Sequence, residues 1–197
     1  MDIDIVKLVP ELADDYVRFF DDTPHDDHTD DGKCYCVCWC SDDSAGRDFS
    51  SREKRRALAE NYVRDGSIQG YLAYRGGEIV GWCNANAKSD CLKCISWRRF
   101  MGAISTGDVA NDLKVKSIFC FVIAPDMQRK GIAGKLLERV CHDAAMDGFD
   151  FVEAYPNREF KGPAEDFMGP IQLYLKNGFS LHHETERKLV IRKRLKG

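Results

Sequence analysis

Apolar and polar positions recur along the chain in segments that predict strands and helices in mixed order. The opening "DIDIVKLV" alternates between apolar and polar residues, a pattern typical of a strand. A helix is then predicted from Pro10, with Leu12, Tyr16, Phe19 and Phe20 on one face. The N-terminal segment therefore predicts a strand followed by an amphipathic helix.

The next third of the chain predicts a second helix and a hairpin. Residues 50–66 begin with serines, place Glu53 three residues after Ser50 as in a capping box, and end on a glycine. Residues 70–87 contain two apolar runs around "RGGE", where glycines supply the positive φ of a tight turn. Residues 88–114 predict a short helix followed by a surface loop.

The second half alternates strands with helices. Residues 115–125 are almost continuously apolar and predict a strand covered on both faces, and a helix follows up to residue 148. A strand at 149–156, a short helix at 169–179 and a final hairpin at 180–195 complete the pattern, which favours a mixed α/β sheet. The apolar positions of the long helix are Ile132, Leu136, Leu137, Val140, Cys141 and Ala144.

Composition narrows the classes of partner and location. The 197 residues contain no linker-like tract, so we expect a single domain over residues 1–197. The net charge is only -3, so neither nucleic acid nor a membrane is expected as a partner. The sequence shows no secretory signal and no run near the ~18 apolar residues of a spanning helix, so we expect a cytoplasmic protein with reduced cysteines. The acidic residues between 21 and 31 predict a solvated surface or a selector for a cationic substrate.

The turn at residues 128–135, "QRKGIAGK", carries the strongest chemical signal. Small residues at 131, 133 and 134 let the main chain approach a ligand, and the unpaired N–H groups of a helix's first turn bind anions. Arg129, Lys130 and Lys135 add positive charge at the same end of the helix, which suits a pyrophosphate. Spacing alone leaves a plain tight turn as the alternative.

In its context this turn resembles a known motif. Residues 118–137, "IFCFVIAPDMQRKGIAGKLL", resemble the coenzyme A-binding motif of the GNAT superfamily of N-acyltransferases. "LYLKNGF" at 173–179 resembles the family's later Tyr-x-x-x-Gly-Phe motif, with a strand between the two as in the family. The resemblance is specific over residues 115–180 and topological before them. It implies an α/β (α+β) fold with a mixed, mostly antiparallel central sheet flanked by helices.

The resemblance implies an acetyl-CoA-dependent N-acetyltransferase that moves an acetyl group from the thioester to a primary amine by direct attack. Acetyl-CoA is the expected co-substrate, and no metal is expected. The acceptor is a small-molecule amine or a peptide amine of open identity, and the acyl length and a homodimeric assembly are also open. The alternative is a non-catalytic CoA-binding or Cys-rich metal-binding module on the same fold.

The resemblance also implies roles for individual residues. Main-chain groups of Val122 and Ile123 would hold the pantetheine arm and the thioester carbonyl, and Tyr174 would protonate the departing sulfur, with core packing as its alternative. The pyrophosphate would bind the turn, whose residues are Gln128, Arg129, Lys130, Gly131, Ile132, Ala133, Gly134 and Lys135.

Two positions depart from the family's pattern. Ser117 stands where some members place a glutamate base, and Phe167 stands where many have an asparagine seven residues before the tyrosine. Glu153 and Asn157, on or after the preceding strand, are candidates for a substrate or base role, although Glu153 could equally face outward from its strand.

Residues 34–40, "CYCVCWC", place four cysteines at alternate positions. In a strand alternate residues lie ~6.6 Å apart, too far for four thiolates to share one zinc ion at about 2.3 Å. We predict a strand with its thiols on one face and its aromatic and valine side chains on the other. GNAT-like folds build the acceptor site before the central strand, so the resemblance places Cys36, Cys38 and Trp39 at or near the acceptor pocket.

A second cysteine pair keeps a metal site open as an alternative. Cys91 and Cys94 have the spacing of a zinc or dithiol motif, and His25 and His28 could add nitrogen ligands. A redox role is less favoured, because the pair neither follows a clear strand nor opens a clear helix.

Overall fold

The computed structural model describes residues 2–23, 32–41, 48–105, 107–162 and 166–195. Short 3-10 helices span Pro10–Leu12, Val37–Trp39 and Pro125–Met127. The strands are β1 (Asp4–Lys7), β2 (Gly70–Arg75), β3 (Glu78–Ala87), β4 (Val115–Ile123), β5 (Phe151–Ala154), β6 (Ser180–Glu184) and β7 (Leu189–Arg194). The helices are α1 (Ala13–Asp22), α2 (Arg52–Arg64), α3 (Lys88–Cys91), α4 (Ile95–Phe100), α5 (Gly107–Ala110), α6 (Ile132–Met146) and α7 (Ile171–Leu175).

Within the described residues, seven strands form one sheet in the order β1-β2-β3-β4-β5-β7-β6. Every neighbouring pair is antiparallel except β4 and β5, which are parallel. Side chains of α1, α2 and α4 pack on one face of the sheet, and those of α6 and α7 pack on the other. The mixed, mostly antiparallel sheet flanked by helices is therefore confirmed.

The most periodic segments fold as their patterns predict. All six predicted apolar positions of α6 are buried, and so are Tyr16, Phe19 and Phe20 of α1. The β2–β3 turn uses Gly76 and Gly77 at φ of 57° and 87°, which side chains would disfavour. The cap of α2 is Ser51 and not the predicted Ser50, because the Ser51 side chain accepts the N–H of residue 54 at 3.3 Å.

The predicted strand at residues 34–40 is wrong. Tyr35 and Cys36 have φ of 48° and 53°, and a 3-10 turn follows from Val37 to Trp39. Two successive left-handed residues reverse the chain, so the thiols do not share one face of a strand. Cys36 is instead buried together with the aromatic and valine side chains.

Residues 88–114 contain more helix than predicted. Three short helices, α3, α4 and α5, lie in this stretch where a single helix and a loop were expected. Two buried side chains, Trp97 and Lys88, attach the stretch to the sheet. The alternation of cysteine, tryptophan and charged residues gave too weak a periodicity to separate three elements of four to six residues.

A cleft opens between β4 and β5 at the ends of these strands. Their pairing runs from Val115 opposite Phe151 to Ile118 opposite Ala154, whereas β4 continues to Ile123. A bulge in the β3–β4 pairing places Phe119 and Cys120 successively against the first face of the sheet. We call residues 166–169, which lie in this opening, the cleft segment.

In the described part of the chain, none of the helices combines the length and the apolar character required to cross a bilayer.

Candidate functional site

The turn before α6 is an open cradle of main-chain N–H groups. Gly131 has φ of 82°, and the first intrahelical bond runs from the Lys135 N–H to the Gly131 carbonyl at 3.2 Å. The first-turn N–H groups ahead of Lys135 therefore have no partner within the helix. A Cβ added at Gly131 or Gly134 would meet no atom within 4 Å, so this side of the turn is open. The turn has the donors and the space that a phosphate group requires.

Cationic side chains surround this turn. Arg129, Lys130 and Lys135 are exposed, and Gln128 Nε2 donates to the carbonyl of Ile123 at 3.4 Å, which ties the turn to the end of β4. Arg75 was missed by the sequence reasoning. Its Nη1 lies 3.3 Å from Met127 Sδ, so the β2–β3 hairpin brings another guanidinium beside the turn. The adjacency of a hairpin 50 residues away has no signature in the motif itself.

The end of β4 directs alternate N–H groups into the cleft. The Ala124 N–H donates to the Val80 carbonyl at 3.0 Å, so Ala124 and Val122 direct their main-chain groups toward β3. Phe121 and Ile123 direct theirs to the opposite side, which is the cleft. The main-chain groups of Ile123 and Phe121 therefore face the cleft, whereas those of Val122 face β3.

The cleft segment accepts hydrogen bonds from a main-chain N–H of β4 and a side-chain hydroxyl of α7. The Phe121 N–H donates to the Phe167 carbonyl at 2.7 Å, and the Tyr174 hydroxyl donates to the Met168 carbonyl. Tyr174 is fully buried and packs edge-on against Phe179 with 5.4 Å between ring centroids. Burial raises the pKa of the Tyr174 hydroxyl well above its ordinary value, so this group keeps its proton at neutral pH.

The reversed segment at residues 34–40 packs on the first face of β4. The Trp39 ring stacks on Phe119 with 4.5 Å between centroids and an interplanar angle of 17°. It also contacts Phe167 of the cleft segment, at 6.3 Å between centroids. Trp39 and Cys36 are buried, while Cys38 is half-buried. Trp39 therefore contacts the cleft segment through Phe167.

Two pairs of thiols in the described residues are hydrogen-bonded to each other. No group of three or more His, Cys, Asp or Glu in the described ranges could hold a metal ion. A hydrogen bond with Cys120 raises the pKa of the Cys36 thiol, and one with Cys94 raises that of Cys91. In this arrangement both thiols keep their protons at neutral pH. His25 and His28 lie outside the described residues.

Glu153 lies in a buried ion network. One carboxylate oxygen accepts Lys88 Nζ at 2.8 Å, and the other accepts Arg192 Nε at 2.8 Å. Asp108 accepts both cations as well, at 2.9 and 2.8 Å. Burial alone would raise the pKa of Asp108, but Lys88 and Arg192 outweigh it and hold that pKa below its usual value. With both oxygens paired and no exposure, Glu153 is not placed to take a proton from an amine.

Asn157 and Ser117 have different surroundings. Asn157 lies at the rim of the cleft, half-buried, and its Oδ1 accepts Lys188 Nζ at 2.9 Å. Ser117 is fully buried, and its hydroxyl pairs with that of Tyr155 at 2.6 Å. Asn157 is thus partly accessible to solvent, whereas Ser117 is enclosed in the core.

Asp21, in the described part of the acidic run, has a structural role. Asp21 accepts the Tyr35 hydroxyl at 2.6 Å and two guanidiniums of α2, Arg52 at 3.2 Å and Arg56 at 2.8 Å. Burial opposes ionisation, but these hydrogen bonds prevail and lower the pKa of Asp21. Residues 24–31 lie outside the described residues. Asp21 therefore joins α1 to α2 and is not available to select a substrate.

A cavity of about 260 Å³ lies beside the end of β4. It is lined by the end of α1, the start of β3 and residues 124–126. Its carboxylates belong to Asp22, Glu78 and Asp126, and Arg18 supplies a positive charge. Its lining residues, all within the described ranges, do not coincide with the acceptor residues predicted from the sequence.

Solved structures of other proteins share this fold. An acetyltransferase from Streptococcus pneumoniae, described as of the GNAT family, is 15% identical, with a TM-score of 0.55 over 99% of this chain and 100% of that one. PaiA N-acetyltransferase from Thermoplasma acidophilum, solved in complex with coenzyme A, is 14% identical, with a TM-score of 0.55 over 98% of this chain and 99% of that one. YncA from Salmonella typhimurium, solved with acetyl-CoA, is 15% identical, with a TM-score of 0.50 over 98% and 94%. At such identities these likenesses establish a shared fold.

A search of curated proteins found no match. A family model, described as the acetyltransferase (GNAT) family, matches residues 7–179. This match takes in the parallel β4–β5 pair, the cradle before α6 and the helix that carries Tyr174. Because it extends over most of the sequence, the chain belongs to the acetyltransferase (GNAT) family.

Proposed function

We propose that this chain is an acetyl-CoA-dependent N-acetyltransferase that acts on a primary amine. The observation that carries the proposal is the open cradle before α6, which adjoins a strand end whose N–H groups face a cleft. Acetyl-CoA would supply an acetyl group activated as a thioester. The proposal treats residues 1–197 as one domain, an assumption supported by a sheet to which strands from both ends of the chain contribute.

The proposed binding roles follow from the donors at each position. The first-turn N–H groups between Gly131 and Gly134 would bind the pyrophosphate, with Arg129, Lys130 and Lys135 adding charge. Gln128 would hold the turn against β4 through the Ile123 carbonyl. Arg75, which reaches the same loop, would contribute to binding the phosphates. We therefore assign the phosphate end of coenzyme A to this turn.

The proposed catalytic roles belong to groups at the cleft. The N–H groups of Phe121 and Ile123 would hold the acyl carbonyl oxygen, where negative charge develops when an amine attacks. Tyr174 would hold the proton that the departing sulfur requires. Because Glu153 and Ser117 are both buried and paired, removal of the amine proton is assigned to water. A direct transfer of this kind needs no covalent bond to the protein.

The acceptor would approach from the first face of the sheet, near Trp39 and Asn157. Both lie at the cleft, whereas Cys36 is buried against β4. A panel of amines assayed for thiol release from acetyl-CoA identifies the acceptor class. The panel should include a polyamine, an aminoglycoside, an amino acid and a peptide with a free N-terminus.

Gly131→Glu tests the cradle. The change puts bulk and negative charge where the pyrophosphate would bind, so CoA affinity measured by calorimetry should fall by about 100-fold or more. Gly148→Glu is a matched control, since Gly148 closes the same helix with φ of 77° and an equally open Cβ position. The two variants share the backbone strain and differ in location. Equal CoA affinities in the two variants would refute the assignment of the cradle.

The alternative is a module that binds CoA or a metal without catalysis. Metal analysis of the purified protein, run beside the calorimetry, separates these functions. CoA binding with no thiol release from any amine would favour the non-catalytic module. Stoichiometric zinc without CoA binding would favour the metal module.

A further inference from the structure

The cleft segment presents its own main-chain carbonyls to the cleft. The Phe167 carbonyl accepts the Phe121 N–H at 2.7 Å, and the next carbonyl, of Met168, accepts the Tyr174 hydroxyl. In a continued parallel pair, β5 would provide the partner of β4 at this point, but its strand ends at Ala154. The cleft segment therefore takes the place of a strand partner at the end of β4.

These two hydrogen bonds involve groups that the proposed function requires. A hydroxyl has one proton to donate, and a strand N–H points at one acceptor. While the cleft segment is docked, neither Phe121 nor Tyr174 is available to a thioester. The Ile123 N–H and the cradle before α6 are outside these contacts, so the phosphate end of the cleft is open in the same arrangement.

Side-chain contacts hold the cleft segment at both walls. The Phe167 ring lies 6.3 Å from Trp39 on the first face, and Lys188 Nζ lies 3.7 Å from Met168 Sδ. Lys188 also reaches the Tyr155 carbonyl at 3.3 Å and so attaches the segment to the chain that follows β5. At the far end of the segment, a Cβ at Gly169 would lie 3.7 Å from the Phe121 ring. The segment thus fits the cleft closely.

One feature makes docking costly. Asp166 is buried, and its Oδ2 accepts the N–H of residue 161 at 2.6 Å. Within the described part of the chain its Oδ1 has no hydrogen-bond partner. A buried carboxylate oxygen without a donor costs free energy that exposure to water would return. Withdrawal of the segment therefore breaks the hydrogen bonds of Phe121 and Tyr174 but exposes this carboxylate oxygen to water.

We propose that the cleft segment is a self-inhibitory plug that must leave the cleft before the acyl-pantetheine end of CoA can bind. The inference rests on the proposed function. The phosphate end of CoA binds first at the cradle, and its pantetheine arm then displaces residues 166–169. Displacement frees the Phe121 N–H and the Tyr174 hydroxyl for the thioester. The docked state protects both groups. It also lowers the apparent CoA affinity, which equals the intrinsic affinity multiplied by the fraction of open molecules.

Phe167→Ala tests the plug by removing its aromatic anchor. If the segment is docked in about 90% of molecules, opening it fully should tighten CoA binding by about tenfold. Phe160→Ala is the matched control, because Phe160 belongs to the same loop and is exposed. Phe167→Leu should give an intermediate affinity and guards against loss of folding in the alanine variant. Thermal melting of all the proteins verifies that they are folded.

A shortened ligand isolates the pantetheine arm. The 3′-phosphoadenosine 5′-diphosphate half of CoA carries the phosphates without the arm, so its affinity should be equal in wild type, Phe167→Ala and Phe160→Ala. Tighter binding of CoA with unchanged binding of this half supports the plug. Unchanged CoA affinity in Phe167→Ala overturns the plug and leaves the proposed function standing. If no form binds CoA, the proposed function fails and the plug fails with it.

Discussion

At the scale of single residues, neighbours determine which chemical group is free to act. Glu153, Ser117 and Tyr174 are all buried. Glu153 and Ser117 bond to other side chains of the core, whereas the Tyr174 hydroxyl donates to a main-chain carbonyl of the cleft segment. A contact that a ligand can replace differs from a contact built into the core. Tyr174 is therefore the buried group we expect to take part in the reaction.

Tyr174→Phe should lower kcat by about 100-fold without weakening CoA binding, because the variant lacks the proton for the departing sulfur. Initial rates of thiol release at saturating substrates measure kcat, and calorimetry measures the affinity. Tyr155→Phe is the matched control, since it deletes a buried hydroxyl that pairs with Ser117. A kcat equal to that of the control would leave Tyr174 with a packing role.

Much of the candidate site could be predicted from residues whose chemistry is local. The cradle depends on glycines and a following helix, which a short window of sequence reveals. The contact between Phe121 and Phe167 could not be predicted, because it joins two main chains 46 positions apart and requires no particular side chain. Which main-chain groups of β4 face the cleft, those of Val122 or those of Phe121, is likewise decided by the pairing with β3, which the local sequence does not specify.

At the scale of elements, segments with regular periodicity folded as predicted, whereas the segment with positive φ at two non-glycine residues did not. α1 and α6 follow their patterns because each buries one face of a regular helix, and the β2–β3 hairpin does so because its apolar strands are covered on both faces. The segment at residues 34–40 alternates as a strand would, but positive φ at Tyr35 and Cys36 overrides the pattern. Non-glycine residues in the left-handed region carry no sequence signature, so this turn could not be foreseen.

The ion network that joins α3, α5, β5 and β7 is also an element-scale feature. Glu153→Gln removes the anion shared by Lys88 and Arg192, and we expect the free energy of unfolding to fall by about 3 kcal/mol. Urea denaturation measures this loss. Glu60→Gln, which breaks the exposed pair with Arg64, should cost well under ~1 kcal/mol. If kcat per folded molecule fell sharply in Glu153→Gln, Glu153 would again be a candidate base.

At the scale of the whole molecule, the nine cysteines are dispersed between both cores. The half-buried ones are Cys34, Cys38 and Cys40, and the other six are buried. Burial raises the pKa of four of these thiols, so they react slowly at neutral pH. They belong to Cys38, Cys40, Cys83 and Cys141.

Thiol titration of the native protein should therefore label at most the three half-buried cysteines rapidly, and all nine after denaturation. Chelator should change neither the melting temperature nor the activity. Replacing Cys36 and Cys38 together by serine should leave CoA affinity nearly intact. Loss of folding in that variant, with about one zinc per wild-type chain, would contradict this expectation and indicate structural thiolates.

The position of β7 has a consequence for the order of folding. β7 lies between β5 and β6 although it follows both in the chain, so β6 cannot join the sheet until β7 has been synthesised. Until then the edge of β5 is exposed to pairing with other chains, and Glu153 lacks the guanidinium of Arg192. The nascent chain is thus most prone to aggregation late in its synthesis, and shortening it within β7 would leave β5 as an exposed edge and β6 without its partner.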